Sequence, residues 1–504
     1  MEEFVFRDIH FTYELYSPQS QPLFLPMVVY LKADDQDTGA AFFTGAENQN
    51  EHPSFVLVPE ARDWTDPAYT QALQRLIFDI RLKHDMDICR TYLAGQGKGA
   101  VYAWHLLSSY PRVFAGTLAV GGCGDPYRVR SAKFAPVWAF HSTKDEAISV
   151  NTPSTVLGKR YLAGSRRLID ALRTDGSELA RYTETDTDPQ SLAAQVFGDS
   201  QVRSWLYEQD RKKVLWVYLV RPGVYRIDDW FMSSCYLIEG NERALMIDTA
   251  MAHTDLMKTV RKLTALPVSL AVTHPHMDHM MHAYAFDSIY LQERDAAQID
   301  ENMAEMKQSL FMAFDKTKRK TGLHISTSLV PPFMDQMTDV HGVIGLKNGD
   351  RIDLGGVQVE MLDLGGHTKN HVVFVDHGHR CVFTGDAVGS GYVVGVNYPA
   401  GEFTQTYAWY RSNLVRFLEH MAPLGEYTYF GGHFIQENSC TDPMQEDYLN
   451  GQSEYYVPLS IEVVKDMKIL CDELLDGKHD SEIDPETGAF FVTHGSASLA
   501  ARRL

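Results

Sequence analysis

The chain has 504 residues, 44% of them hydrophobic, which is enough to bury more than one core, so two domains are expected. A formal net charge of −20 argues against a nucleic-acid partner, because a polyanion demands a basic footprint. No stretch approaches the ~18 uninterrupted apolar residues that would span a bilayer.

Met1-Glu2-Glu3-Phe4-Val5-Phe6-Arg7-Asp8 is charged from the start and lacks an apolar leader. Cys89, Cys123, Cys235, Cys381, Cys440 and Cys471 are scattered without a pair motif, as suits a reduced, cytoplasmic compartment. Met27–Leu31 and Ser54–Val58 read as buried strands, and a helix is expected over about Pro67–Arg81, with Leu73, Leu76, Ile77 and Ile80 on one face. Thr91-Tyr92-Leu93-Ala94-Gly95-Gln96-Gly97-Lys98-Gly99 reads as a strand turning into a helix over Val101–Ser109. Gly116–Val120 and Val137–His141 are two more strands. Strands alternating with helices imply a doubly wound parallel sheet.

This layout resembles the α/β-hydrolase fold, in particular its polyester-depolymerase-like esterases, over about residues 10–210. Gly95-Gln96-Gly97-Lys98-Gly99 stands where those esterases carry the nucleophile elbow Gly-x-Ser-x-Gly, and Gly97 has no side chain to attack with. Asp145 matches the triad acid, but no His occurs between His141 and His253; Tyr182–Asp188 stands where one is expected. Lys32-Ala33 replaces the usual His-Gly near the oxyanion hole. The resemblance therefore implies an N-terminal domain, residues 1–212, whose esterase machinery is silent. Its expected role is packing or homo-oligomerisation, with walling of the second domain's pocket as the alternative. A phosphate-cradling turn beside Lys98 is a weak rival, because Gly-x-Gly-x-Gly lacks P-loop spacing.

The second half, residues 213–504, carries the chemistry. Val268–Val272 reads as a buried strand that ends in Thr273-His274-Pro275-His276-Met277-Asp278-His279, four metal-competent side chains within six residues. His274 and His276 project to one side of an extended backbone and can share an ion, while Asp278 and His279 follow a turn and suit a second. Imidazole with carboxylate and no nearby Cys suits Zn²⁺, with Mn²⁺ or Fe also compatible. Glu293–Met337 reads as an insertion in which Met303, Met306, Leu310, Met312 and Phe314 form either an apolar lid or an ordinary core helix. Its basic run Lys316–Lys320 reads as a solvated face. Downstream, Val357–Leu362 leads to Gly365-Gly366-His367-Thr368, and Phe374–Asp376 with Cys381–Asp386 reads as a hairpin turning at Gly378. Tyr427–Phe430 then leads to Gly431-Gly432-His433, and Tyr456–Leu475 reads as a helix covering the sheet. Each candidate ligand follows a strand end, where a packed sheet presents functional groups along one edge.

These motifs, with Cys235–Gly240 and Ala244–Thr249 as first strands, resemble the metallo-β-lactamase superfamily. The resemblance implies an αββα sandwich. It assigns His274, His276 and His367 to one ion, Asp278, His279 and His433 to another, and Asp386 to both. It also implies that Asp248 orients a ligand without binding metal. His371 is expected beside the ligands and His282 on a helix flank; Cys381 falls too early for the metal-binding Cys of antibiotic-degrading members and reads as core. Asp386 as bridge resembles hydroxyacylglutathione hydrolases, lactonases and RNA-processing members, and Gly366–His371 resembles the thioesterase pattern, with Asn370 where Gly is common. Two divalent ions lower the pKa of a shared water from ~16 toward neutrality. The expected enzyme is therefore a binuclear metallohydrolase using that bridging hydroxide, with Asp278 orienting it and carrying a proton. Its substrate would be a small-molecule carboxylic ester, lactone or thioester, with β-lactams as a side activity. A phosphodiesterase and a non-catalytic metal-stabilised scaffold are the alternatives; a redox di-iron role ranks lower because no flavin module accompanies the domain.

Overall fold

The computed structural model describes residues 1–19, 24–150, 153–154, 162–231, 233–314, 329–389, 394–433 and 459–504. The basic run at 316–320 and Cys440 lie outside them. The chain divides into two compact units, one containing Met1–Val214 and the other beginning at Leu215.

The first unit is built on an eight-stranded sheet. Its strands are β1 (Glu2–Phe6), β2 (Ile9–Tyr16), β3 (Met27–Leu31), β4 (Phe55–Pro59), β5 (Thr91–Gln96), β6 (Gly116–Val120), β7 (Val137–Ser142) and β8 (Ala180–Thr185). Their order is β1-β2-β4-β3-β5-β6-β7-β8. β3 through β8 run parallel, and β2 of the edge hairpin β1–β2 pairs antiparallel with β4. Side-chain alternation explains why the sheet is covered on both faces. Met27, Val29 and Leu31 of β3 join one buried cluster, while Val28 and Tyr30 join another.

The first cluster is closed by α1 (Pro67–Lys83), α2 (Lys98–Ser109) and α3 (Ser165–Thr174). The second is closed by α4 (Pro189–Gly198) and α5 (Ser200–Glu208). Pro67 starts α1 behind Asp66, whose carboxylate accepts the Ala68 N–H, and Asp188 and Asp199 cap α4 and α5 in the same way. The edge strands β1, β2 and β8 were absent from the sequence reading. β1 and β8 are mostly exposed or half-buried, and β8 occupies part of the Tyr182–Asp188 segment where the resemblance implies a triad His.

Among the described residues, the second unit holds two large sheets and a two-stranded hairpin. The larger runs in chain order through β9 (Trp216–Arg221), β10 (Val224–Asp228), β11 (Ser234–Glu239), β12 (Ala244–Ile247), β13 (Val268–Ala271), β14 (Ile289–Gln292) and β15 (Val343–Leu346). The smaller runs through β16 (Arg351–Asp353), β17 (Gln358–Asp363), β18 (Val372–Asp376), β19 (Cys381–Phe383) and β20 (Thr428–Phe430). Tyr236, Ile238, Leu245 and Ile247 from one sheet share a core with Met361, Phe374, Phe383 and Phe430 from the other. Cys381 is buried in that core.

On the larger sheet's side, the short α6 (Leu256–Leu263) buries Leu256 and Val260. A one-turn helix α7 (Met277–Met280) follows β13, and α8 (Ile299–Phe314) lies in the expected insertion with Met303, Met306 and Leu310 buried. The side chains of Met312 and Phe314 lie outside the described ones. The other face of the smaller sheet, through Val373, Val375 and Val382, packs on α9 (Phe403–Met421) and α10 (Ile461–Leu475). A hairpin of β21 (Phe490–His494) and β22 (Ala497–Ala501) joins the same cluster.

Candidate metal centre

The loops after β12, β13, β17, β19 and β20 bring their polar residues together. Asp248 follows β12, His274 to His279 follow β13, His367 and His371 follow β17, Asp386 follows β19 and His433 follows β20. Three overlapping groups have ligand atoms within 4.8 Å of one another: His274 with His276 and His367, His274 with His279 and Asp386, and Asp278 with His279 and His433.

In the first group, His276 Nδ1 lies 3.0 Å from His274 Nε2 and 3.0 Å from His367 Nε2. In the third, His279 Nε2 lies 3.4 Å from Asp278 Oδ2, and His433 Nε2 lies 3.6 Å from the same oxygen. Asp386 reaches both sides, with an oxygen 3.6 Å from His367 Nε2, 3.6 Å from His279 Nε2 and 3.3 Å from His433 Nε2.

His279 and His367 are oriented from behind. Asp248 accepts from His279 Nδ1 at 2.9 Å and from the backbone and hydroxyl of Thr273 at 2.7 and 2.8 Å. His367 Nδ1–H donates to Gly395 O at 2.9 Å. His371 stacks on His274 and accepts the Asp386 backbone N–H at 3.1 Å. His282 belongs to none of the three groups and donates to Ala252 O at 2.8 Å.

Two glycines keep the cluster tight. A Cβ on Gly432 would lie 2.4 Å from Asp386 Oδ1, and one on Gly385, where φ is +51°, would lie 2.6 Å from Thr273 Oγ1. Two contacts escaped the sequence reading. Ser233 Oγ donates to Asp278 Oδ2 at 3.2 Å, and the Gly395 carbonyl supports His367. Neither has a spacing signal, since one is a lone hydroxyl and the other a backbone atom.

The electrostatics suit cations. Burial, reinforced by neighbouring imidazoles, holds His274 well below the ordinary histidine value and His276 down at about 4, so both offer lone pairs. Burial opposes the charge on His279, but Asp278, Asp386 and Asp248 outweigh it and hold the ring well above its usual range. His433 is likewise raised against burial by the charge of Asp386. Asp278 and Asp386 stay ionised despite burial because His279 and His433 face them. His279 Nε2 and Asp386 Oδ1 are buried without a hydrogen-bond partner among the described residues. Nitrogen and oxygen atoms converging in this way fit divalent metal ions of the zinc type.

Residues 228–433 match the family model described as Metallo-beta-lactamase superfamily. They form a metallo-β-lactamase superfamily domain. The hydroxyacylglutathione hydrolase GloC of Haemophilus influenzae is 26% identical over 205 residues, covering 40% of this chain and 89% of that protein. The acyl-coenzyme A thioesterase MBLAC2 of Gallus gallus is 23% identical over 189 residues, covering 34% of this chain and 65% of that protein. Both relatives are hydrolases, and this is a hydrolase domain. The crystal structure of a thermostable esterase aligns at 24% identity and a TM-score of 0.35, covering 42% of this chain and 63% of that one. A likeness at that level establishes no fold.

In the first unit, Gly97 turns from β5 into α2 at φ +52° and ψ −119°, and among the described residues no atom beyond its chain neighbours comes within 4 Å of where a Cβ would stand. Asp145 accepts the backbone N–H groups of Ala147 and Ile148 at 3.0 and 2.8 Å. The buried His141 lies 3.6 Å from Asp145 and donates to Ile148 O. A histidine thus stands beside this carboxylate from four residues upstream, whereas the resemblance implies one downstream. Among the described residues, no helix is long and apolar enough to cross a membrane.

Proposed function

We propose that the second unit is a binuclear metal-dependent hydrolase of carboxylic thioesters, esters or lactones, acting on small molecules in the cytoplasm. The observation that carries this reading is Asp386, whose two oxygens approach ring nitrogens of both histidine groups at 3.3–3.6 Å. On this reading His274, His276 and His367 hold one ion, Asp278, His279 and His433 hold the other, and Asp386 is shared. Zinc is the first choice, with manganese or iron compatible with the same donors.

The ions would supply a water activated at neutral pH and Lewis acidity toward the scissile oxygen. The chain's own residues supply geometry and proton handling. Asp248 fixes His279 with Nε2 facing inward, and Gly395 does the same for His367. Ser233 holds Asp278 through one hydroxyl hydrogen bond, and Asp278 is the carboxylate that takes a proton toward the leaving group. No side-chain nucleophile is required. The hydrolase names of the two relatives and the acidity of the chain support carbonyl over phosphoryl substrates. A panel of thioesters, esters, lactones, β-lactams and phosphodiesters should show a thioester or oxygen ester turned over fastest, with activity lost on chelation and restored by zinc. Fastest turnover of a phosphodiester would reverse the substrate class.

We read the first unit as a silent α/β-hydrolase-like domain. The parallel core of its sheet, the sharp turn at Gly97 and the placement of Asp145 beyond β7 support that reading. With no hydroxyl at residue 97, the metal-depleted full-length protein should neither hydrolyse esters nor be labelled by a serine-directed phosphonate. Labelling, or esterase activity surviving chelation, would overturn it.

A further inference from the structure

A carbonyl can orient an imidazole only if the backbone carrying it is itself held. The Nδ1–H of His367 donates to Gly395 O at 2.9 Å, which turns Nε2 toward His276. Gly395 lies in the segment 394–398, which pairs side by side with β22 and the residues after it. Ala500 N–H donates to Val394 O at 3.0 Å, and Ala500 O accepts the Val396 N–H at 3.0 Å. Tyr398 N–H donates to Arg502 O at 3.2 Å, and Leu504 N–H returns to Tyr398 O at 2.9 Å.

The clamp is anchored on its other side as well. β22 pairs antiparallel with β21, with Phe491 opposite Ala500, and buries Leu499. Tyr398 OH donates to Gly488 O at 2.9 Å, and Arg502 N–H donates to Asn397 Oδ1 at 3.0 Å. Residues 497–504 all lie beyond the 228–433 stretch that carries the family match. A strand outside the shared domain thus holds the backbone that holds His367.

We propose that Ala500, through its backbone N–H and C=O, positions His367 by locking residues 394–398, so that the Gly395 carbonyl keeps this ring's Nε2 directed to the ion shared with His274 and His276. This rests on the proposed reading of those histidines as ligands. Ala500→Pro deletes the one N–H that bonds Val394, leaving the pairing of β22 with β21 available, whereas Ala500→Gly keeps it.

The test uses the full-length chain, titrated with zinc against a chromophoric chelator, with metal-free melting curves alongside. Ala500→Pro is expected to bind one ion as wild type does and the other about 10–100-fold more weakly, the usual cost of losing a ligand's support. Ala500→Gly is expected to bind both ions as wild type. Folded Ala500→Pro protein with two wild-type affinities would overturn the proposal, as would equal weakening of both ions.

If Ala500→Pro does not fold, the decision passes to nitrogen NMR of ¹⁵N-histidine-labelled, zinc-loaded wild type, with His367→Gln assigning the resonance. A protonated Nδ1 with Nε2 on the metal supports the proposal, and an unprotonated or metal-bound Nδ1 overturns it. Wild-type protein that binds no zinc would instead overturn the metal reading beneath it, so the two failures are distinguishable.

Discussion

Alanine at His433 is expected to remove one of two bound ions and almost all turnover, and alanine at His274 is expected to remove the other together with activity. The two rings share no group around Asp386: His433 falls in the group with Asp278 and His279, and His274 in the group with His276 and His367 and in that with His279 and Asp386. Losing a residue that merely orients a ligand costs about 10–100-fold in affinity or activity, so losing a ligand costs more. The expected signature is a fall from two ions to one in each variant, read by elemental analysis of protein purified without added metal. Both variants retaining two ions and wild-type turnover would sink the assignment of the seven residues.

Gly432→Ala is the second variant with a large expected effect, and it changes no ligand at all. Its new methyl would stand 2.4 Å from Asp386 Oδ1, 2.8 Å from His279 Cε1 and 3.1 Å from the backbone carbon of Gly385. The two contacts under 3 Å are to the Asp386 carboxylate and the His279 ring, so those two groups or the strand end must shift. Overpacking of this kind costs about 1–3 kcal/mol of stability. A shift on the order of 1 Å in a catalytic group costs about a hundredfold in rate. Turnover should therefore fall much further than the melting temperature. Activity within a few-fold of wild type would show that the groups around Asp386 have more room than the structure gives them.

The parts legible in the sequence were those with local signals. β13 and β20 are short buried runs that break into polar, histidine-bearing loops, so strand and loop could be read together. Gly365-Gly366 and Gly431-Gly432 marked close approach before the structure gave it a reason: Tyr410 lies against Gly366, and Asp386 against Gly432. The unread parts depend on distant partners. β1 and β2 lack an apolar run and exist because Phe11 and Tyr13 pack into a core assembled later in the chain. His141 comes to Asp145 through a turn whose shape no residue spacing announces. The Gly395 carbonyl could not be found by residue type, because every residue has one.

The turn at Gly97 has a consequence for evolution. A residue with a side chain held at φ +52° and ψ −119° carries strain of about 1–3 kcal/mol, which serine hydrolases tolerate because the exposed nucleophile needs it. Glycine adopts that backbone without the penalty. On the proposed reading of the first unit as a silent hydrolase, loss of the nucleophile relaxes the turn and releases the unit from the compromise between stability and activity that constrains a working enzyme. The relaxed turn leaves a margin on the order of 1–3 kcal/mol, within which mutations elsewhere in that unit could drift without unfolding it.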